Sequence, residues 1–202
     1  KLNLTKEKII KEACFIEINK LNKPIGKQDQ YLCAHSGLNS FTFYNENNLV
    51  KKNHLSDIKK LVIERLSNDF YLIPTNKTRN SEIVLTKIKN IKKSTDQILA
   101  IREIANSFIE FNDDRDYKIE ELFNYSVKES WLIKKSMTSV MNESLNEQYK
   151  LIDSLIPNNW IRLIGAGNGG YFLVSSKINQ EQINSLKNKN GLKGIFKADL
   201  SK

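Results

Sequence analysis

The sequence predicts an α+β fold, with helices set apart from a mostly antiparallel sheet. Three observations carry this. Strand-like alternation marks two short runs, residues 38–44 and 69–74. The long middle stretch, residues 81–155, shows only helical periodicity. The last quarter returns to strands around a glycine-rich loop at residues 165–170.

The elements follow in order. Residues 4–21 read as one amphipathic helix, because Ile9, Ile10, Ala13, Cys14 and Leu21 recur at helical spacing. Thr5 suits its N-cap, with Lys6, Glu7 and Lys8 in the first turn. Pro24 and Gly26 then break the chain into a loop. In residues 38–44, Leu38, Phe41 and Phe43 alternate with Asn39, Ser40 and Thr42, and residues 45–48 make a turn. A second strand, residues 69–74, carries Phe70 and Tyr71. Helices are expected over residues 81–93, 94–111 and 119–141, and a shorter one over 145–155 that stops at Pro157. The end reads strand, glycine loop, strand (171–175), helix (180–187) and strand (194–200). There is no internal repeat, and no low-complexity tract beyond an Asn and Lys bias.

Composition narrows the function classes. Hydrophobic residues at 40% and charged residues at 27% exclude a disordered chain, and 202 residues suffice for one large domain or two small ones. The most apolar stretch, residues 160–174, holds Arg162 and is broken by glycines, so no membrane span is expected. The Lys-rich, polar N-terminus has no apolar core of a signal peptide. Cys14 and Cys33 build neither a disulfide framework nor a zinc site, which points to a reducing, cytoplasmic setting. A start at Lys1 without Met, in a helix approach, reads as the interior of a longer protein. The net charge of +9 raises a nucleic-acid reading. The lysines, however, are spread along helical segments and interleaved with acids, and no RNP, zinc-finger or helix-turn-helix pattern is present. A solvated helix face, with no nucleic-acid partner, is the expectation. The positive bias also suits a small anionic substrate.

Two segments carry chemistry. In the first, residues 11–31, Glu17 follows Ala13 by four and precedes Leu21 by four, so it falls on the apolar stripe of its helix. A carboxylate there is paired, metal-bound or at the edge of a cleft, since burying a lone charge is costly. Asp29 comes twelve residues later, between Gln28 and Gln30, in a loop opened by Gly26. Two acids from a helix and an adjoining loop can converge on one pocket, one holding Mg²⁺ and the other taking a proton from a hydroxyl. Equally, Glu17 can pair with a lysine while Asp29 caps the next helix. In the second segment, residues 162–175, four of the chain's eight glycines fall within six positions. It matches GxGxxG, but a dinucleotide fingerprint leads into a helix, and residues 171–175 read as a strand. Such a loop either presents backbone N–H groups to an anion or forms a plain glycine hairpin.

Together these segments resemble the GHMP kinases. The likeness rests on GKQDQY (residues 26–31) after a helix with Glu17, and on GAGNGG (165–170) before a strand. IEINKLNKPIGKQDQY, SGLN with FTF after it, YLIPTNKTRNSEIV, ESWLIKKSM and LIGAGNGGYFLV are similar to the D-glycero-D-manno-heptose 7-phosphate kinase subgroup.

The resemblance implies that residues 1–50 are the tail of an N-terminal α/β domain and residues 51–202 a ferredoxin-like C-terminal domain. It implies ATP-dependent phosphorylation of a sugar phosphate hydroxyl, with ATP and Mg²⁺. Asp29 would be the acid acting on the hydroxyl, and Glu17 the acid holding the metal. Gly165, Ala166, Gly167, Gly169 and Gly170 would support the phosphate end of ATP. Substrate contacts would come from Lys27, Gln28 and Gln30, from Thr78 and Arg79, and from Trp131 and Lys134. For Trp131, Lys134 and Lys135, a packing Trp with solvated lysines is the alternative. The family's first motif and its glycine- and serine-rich phosphate loop are absent from this chain, and Asn168 stands where the usual run has glycine. Nucleotide binding and turnover are therefore expected of the parent protein rather than of these residues alone. The chain by itself is expected to be marginally stable or prone to aggregate. Another sugar-1-kinase and a non-catalytic module with a basic surface are the alternative functions, and a homodimer stays open.

Overall fold

The structure, a computed structural model, describes residues 5–44, 49–77, 86, 93–137, 140–156, 160–165, 167–190 and 194–198. Helix α1 (Lys6–Cys14) starts where expected, because the Thr5 side chain accepts from the Lys8 amide at 3.3 Å. It does not run on as an α-helix. From Phe15 to Lys20 the coil widens to a π-helix, with Leu21 N–H donating to the Ile16 carbonyl at 2.9 Å. That widening shifts the phase of the apolar stripe. Ile10 and Cys14 are buried, while Leu21, read as part of the stripe, is 58% exposed.

After the loop comes α2 (Gln28–Cys33), then β1 (Ser40–Phe43) paired antiparallel with β2 (Val50–Asn53). Tyr31 of α2 sets its ring against Phe41 and Phe43 at 5.6 and 5.5 Å, which seats the short helix on the hairpin. Neither β2 nor the following α3 (Asp57–Ser67) was read from the sequence. Strand β2 is Val-Lys-Lys-Asn, without an apolar face, and its pairing depends on the partner strand. Helix α3 is capped by Ser56 and buries Lys59. The Lys59 ammonium donates to the Ile109 carbonyl at 2.8 Å.

The rest is one antiparallel four-stranded sheet with helices against it. Its strands are β3 (Phe70–Pro74), β4 (Trp160–Ile164), β5 (Tyr171–Ser175) and β6 (Phe196–Lys197), in the spatial order β4-β5-β3-β6. Helices α4 (Lys93–Glu110), α5 (Asp116–Lys135) and α6 (Glu143–Leu155) lie between β3 and β4, and α7 (Gln180–Asn190) lies between β5 and β6. Strand–helices–strand–strand–helix–strand in that spatial order is the ferredoxin-like arrangement, so the α+β expectation holds. The α5 helix covers residues 116–135 rather than 119–141, and β6 is shorter than residues 194–200. The helix expected over 81–93 and the turn at 45–48 lie outside the described residues, apart from Thr86 and Lys93.

Apolar burial explains the layering. Trp131 of α5, Leu145 and Ile152 of α6 and Leu186 of α7 pack with Ile73, Leu163, Phe172 and Val174 of the sheet, all at 1% exposure or less. A second, smaller cluster joins Val62 and Ile63 of α3 to Phe108 of α4 and Ile119 of α5. Among the described residues no helix is long and apolar enough to cross a membrane.

Candidate active site

A cleft of about 750 Å³ lies between the α2 segment and the α4, α5 and β4 elements. Gly26, Gln28, Asp29 and Ser40 line it from the α2 segment and β1, and Ser126, Ser130, Lys134, Arg162 and Gly165 from α5 and the β4 segment. Its remaining walls are mainly apolar, from Leu38, Leu55, Ile101, Phe108 and Phe123. An apolar cavity with a few convergent polar groups is the usual form of a small-molecule site. Among the described lining residues, Asp29, Lys134 and Arg162 are the charged ones.

Asp29 sits in the first turn of α2, and among the described residues its carboxylate has no hydrogen-bond or ion-pair partner. It therefore does not cap α2, whose N-cap is Lys27 without a side-chain bond. Gln28 is exposed beside it. Glu17 is committed elsewhere. Gln30 donates its amide to the Glu17 carboxylate, and the Lys23 ammonium pairs with it at 3.3 Å. The Gln30 hydrogen bond first, and then Lys23, hold the Glu17 carboxyl below the usual carboxylate range. This is the lysine pairing that the sequence left open, and it ties the π-helix to α2 immediately after Asp29.

Elsewhere in the cleft, the Lys134 ammonium donates to the Gly165 carbonyl at 2.7 Å, bridging the end of α5 to the end of β4. Trp131 points the other way. At 1% exposure it belongs to the core, a packing residue rather than a substrate contact. Lys135 lies over the Tyr149 ring at 3.7 Å, and burial pushes its ammonium below the usual lysine value. Arg162 is half-buried on β4, and its Nε is shielded from solvent with no partner among the described residues. Burial lowers its pKa. The Ser126 hydroxyl is likewise shielded and unpartnered. Arg162 and Ser126 were not read as site residues. The available signal was an arginine alone in an otherwise apolar strand, since strands conceal a charge only where something polar receives it.

The glycine loop is strongly bent. Gly165, Gly167, Gly169 and Gly170 have φ of 86°, 114°, 148° and 97°, and Asn168 has φ of 56°. Asparagine tolerates that left-handed conformation, so its place in a glycine run costs little. Two loop amides are used internally: Asn168 N–H donates to the Val140 carbonyl at 2.7 Å and Gly170 N–H to Lys77 at 3.4 Å. A Cβ on Gly167 would stand 2.9 Å from the Val140 Cα, so glycine is required there for close approach of two backbones. The Asn142 amide donates to Asn168 Oδ1, and Thr75 donates its hydroxyl to the Gly170 carbonyl at 2.9 Å. Thr78, Arg79 and Ala166 lie outside the described residues. Among those described, no group of three or more His, Cys, Asp or Glu side chains is placed to hold a metal.

No protein-family model matches this chain, and no curated protein matches it in sequence. Solved structures do resemble it in fold. Methanococcus jannaschii mevalonate kinase matches with a TM-score of 0.63 at 16% identity, over 96% of this chain and 56% of that one. The L. major mevalonate kinase, crystallised with R-mevalonate, matches with a TM-score of 0.63 at 14% identity, over 96% and 58%. Lactococcus lactis galactokinase, crystallised with galactose, matches with a TM-score of 0.53 at 12% identity, over 94% and 56%. The chain thus spans little more than half the length of these structures, and the fold it shares with them is the GHMP kinase fold.

Proposed function

We propose that the protein containing this chain transfers the γ-phosphoryl group of ATP to a hydroxyl of a sugar phosphate, D-glycero-D-manno-heptose 7-phosphate giving the 1,7-bisphosphate. The observation that carries the reading is Asp29, a carboxylate without a partner among the described residues, in a cleft with two cations. A free carboxylate can accept the proton of the attacking hydroxyl as its oxygen bonds to the γ-phosphorus and ADP leaves. The resemblance of GKQDQY and GAGNGG to the GHMP motifs, together with the shared fold, supports the reaction class. The SGLN and ESWLIKKSM segments, similar to the heptose phosphate kinases, support the substrate.

Mg²⁺ in such reactions is held by one or two carboxylates together with phosphate oxygens. Glu17 as it stands is bonded to Lys23 and Gln30, and does not fit a metal-ligand role without releasing both. The reading therefore gives Glu17 the positioning of α2. Residues 1–50 are proposed as the tail of an N-terminal domain and residues 51–202 as a C-terminal domain. In the full-length protein, Asp29→Asn should lower kcat by about 10²- to 10⁴-fold. Undiminished ATP turnover in that variant sinks the kinase reading. Turnover of neutral hexoses in preference to heptose 7-phosphate would favour a fucose- or mannose-type sugar kinase.

A further inference from the structure

Two polar side chains of the cleft, Ser126 and Arg162, hold shielded atoms with no partner among the described residues. Ser126, Ser130 and Lys134 recur every four residues along α5, so they form one stripe that lines the cleft. Arg162 lines the same wall from β4, which packs on α5. The Nε of Arg162 and the Oγ of Ser126 are both shielded from water and without partners among the described residues. Lys134 donates to the Gly165 carbonyl and brings a second positive charge to the cleft. Ser130 gives its proton to the Val127 carbonyl at 3.1 Å, which leaves its oxygen as an acceptor.

A half-buried arginine with a shielded Nε and no carboxylate beside it among the described residues carries a cost that an entering anion offsets. The groups are chemically suited to one ligand type: a planar fork, an ammonium and a hydroxyl donor together match an oxyanion with several acceptor oxygens. Asp29 is the sole carboxylate among the described lining residues, and no ion pair holds Arg162 among them.

We propose that Arg162, assisted by Ser126 and Lys134, holds the phosphate group of the acceptor substrate and so makes the site specific for phosphorylated sugars. The assignment rests on the kinase reading above and gives it a substrate-side anchor. Arg162 here is a specificity residue, distinct from the proton-accepting Asp29 of the same cleft.

The test uses the full-length protein with Arg162→Met, Arg162→Lys and Ser126→Ala, and Asp29→Asn alongside. Arg162→Met should raise KM for heptose 7-phosphate about 10- to 100-fold while KM for ATP and turnover of the dephosphorylated heptose stay near wild type. Arg162→Lys should fall between, since it keeps the charge but loses the fork, and Ser126→Ala should show a smaller rise. In the ligand-free state Arg162→Met should melt no lower than wild type, and an increase of about 2–4 °C is expected from removing an uncompensated buried charge. A fall in Tm with KM unchanged would make Arg162 a structural residue and overturn the proposal. So would a rise in KM for ATP, or an equal rise for the dephosphorylated heptose. Wild-type turnover of R-mevalonate that depends equally on Arg162 would replace phosphate by carboxylate and count against it too. Full turnover in Asp29→Asn would remove the kinase reading instead. The loss of inorganic phosphate binding in Arg162→Met, read by ³¹P NMR, would then still report on the anion site by itself.

Discussion

Between residues 5 and 33 only Ile10 and Cys14 are buried hydrophobics, and Ile9, Phe15, Ile16 and Leu21 stand between 45% and 58% exposed. Along β3, β4 and β5, by contrast, Phe70, Ile73, Trp160, Ile161, Leu163, Phe172 and Val174 are all buried. The first region carries Asp29 and the second carries Arg162, so the two walls of one cleft rest on supports of very different strength. The acid is held by a short helix, an aromatic contact to a hairpin, and the Glu17–Gln30–Lys23 group. The cations stand on a sheet and a long helix fixed by the main core. Sites that bind and release a substrate often draw one side from the less stable part of a fold, and this molecule is divided in that way.

The contrast can be broken most directly in the core. Trp131→Ala and Phe172→Ala should each cost about 3–5 kcal/mol, while Phe15→Ser and Ile16→Ser should stay within about 0.5 kcal/mol. Denaturant unfolding monitored by fluorescence measures both sets, and equal costs would erase the distinction between the regions. Gly167→Ala comes next. The added Cβ meets the Val140 backbone at 2.9 Å on a residue with φ of 114°, and a loss of about 1–3 kcal/mol is expected. Because Val140 cannot yield without moving the α5–α6 connection, that variant should also weaken phosphate binding at the Lys134 and Gly165 end of the cleft. Hydrogen exchange sharpens the same comparison without mutation, with amides in residues 28–33 exchanging well before those of β5.

The smallest effect is electrostatic and lies at the start of α5. The Arg115 guanidinium beside Asp113 holds its carboxyl down to about 2. A depressed folded pKa stabilises above the unfolded value, and that contribution disappears as pH falls through the folded one. Stability should therefore decline between about pH 4 and about pH 2, and Asp113→Asn should flatten that part of the profile in a Tm titration. The pair is exposed, so the effect is modest and shrinks further in salt. Glu17 titrates with the same sign. Its protonation weakens the bond from Gln30 first and then that from Lys23, and should loosen α2 before the sheet responds.

Much of the fold was legible in the sequence. Thr5 capped its helix because a hydroxyl three residues ahead of a free amide is a local event. Residues 171–175 read as a strand and are one, and the helix read at 94–111 lies at Lys93–Glu110, since long amphipathic runs announce themselves. What escaped was context-dependent. The π-helical widening at Phe15 moved Leu21 out of the apolar stripe, and no residue there signals an i→i+5 bond. Strand β2 has a polar pattern that becomes a strand only beside β1.

For the site, the chain by itself determined which side chains carry chemistry: Asp29 in its loop, Glu17 twelve residues earlier, the glycines at 165–170. Only the tertiary structure decided which of them meet. It put Asp29 in a cleft with Lys134, Arg162 and Gly165, 105 to 136 positions further along the chain (134 − 29 and 165 − 29). It turned Glu17 to Lys23 and Gln30, sank Trp131 into the core, and left Arg162 shielded without a carboxylate. The physical reason is that a residue's type fixes what it can donate or accept, whereas burial and partners are properties of the packed chain. A carboxylate becomes a support or a base according to what the fold places beside it.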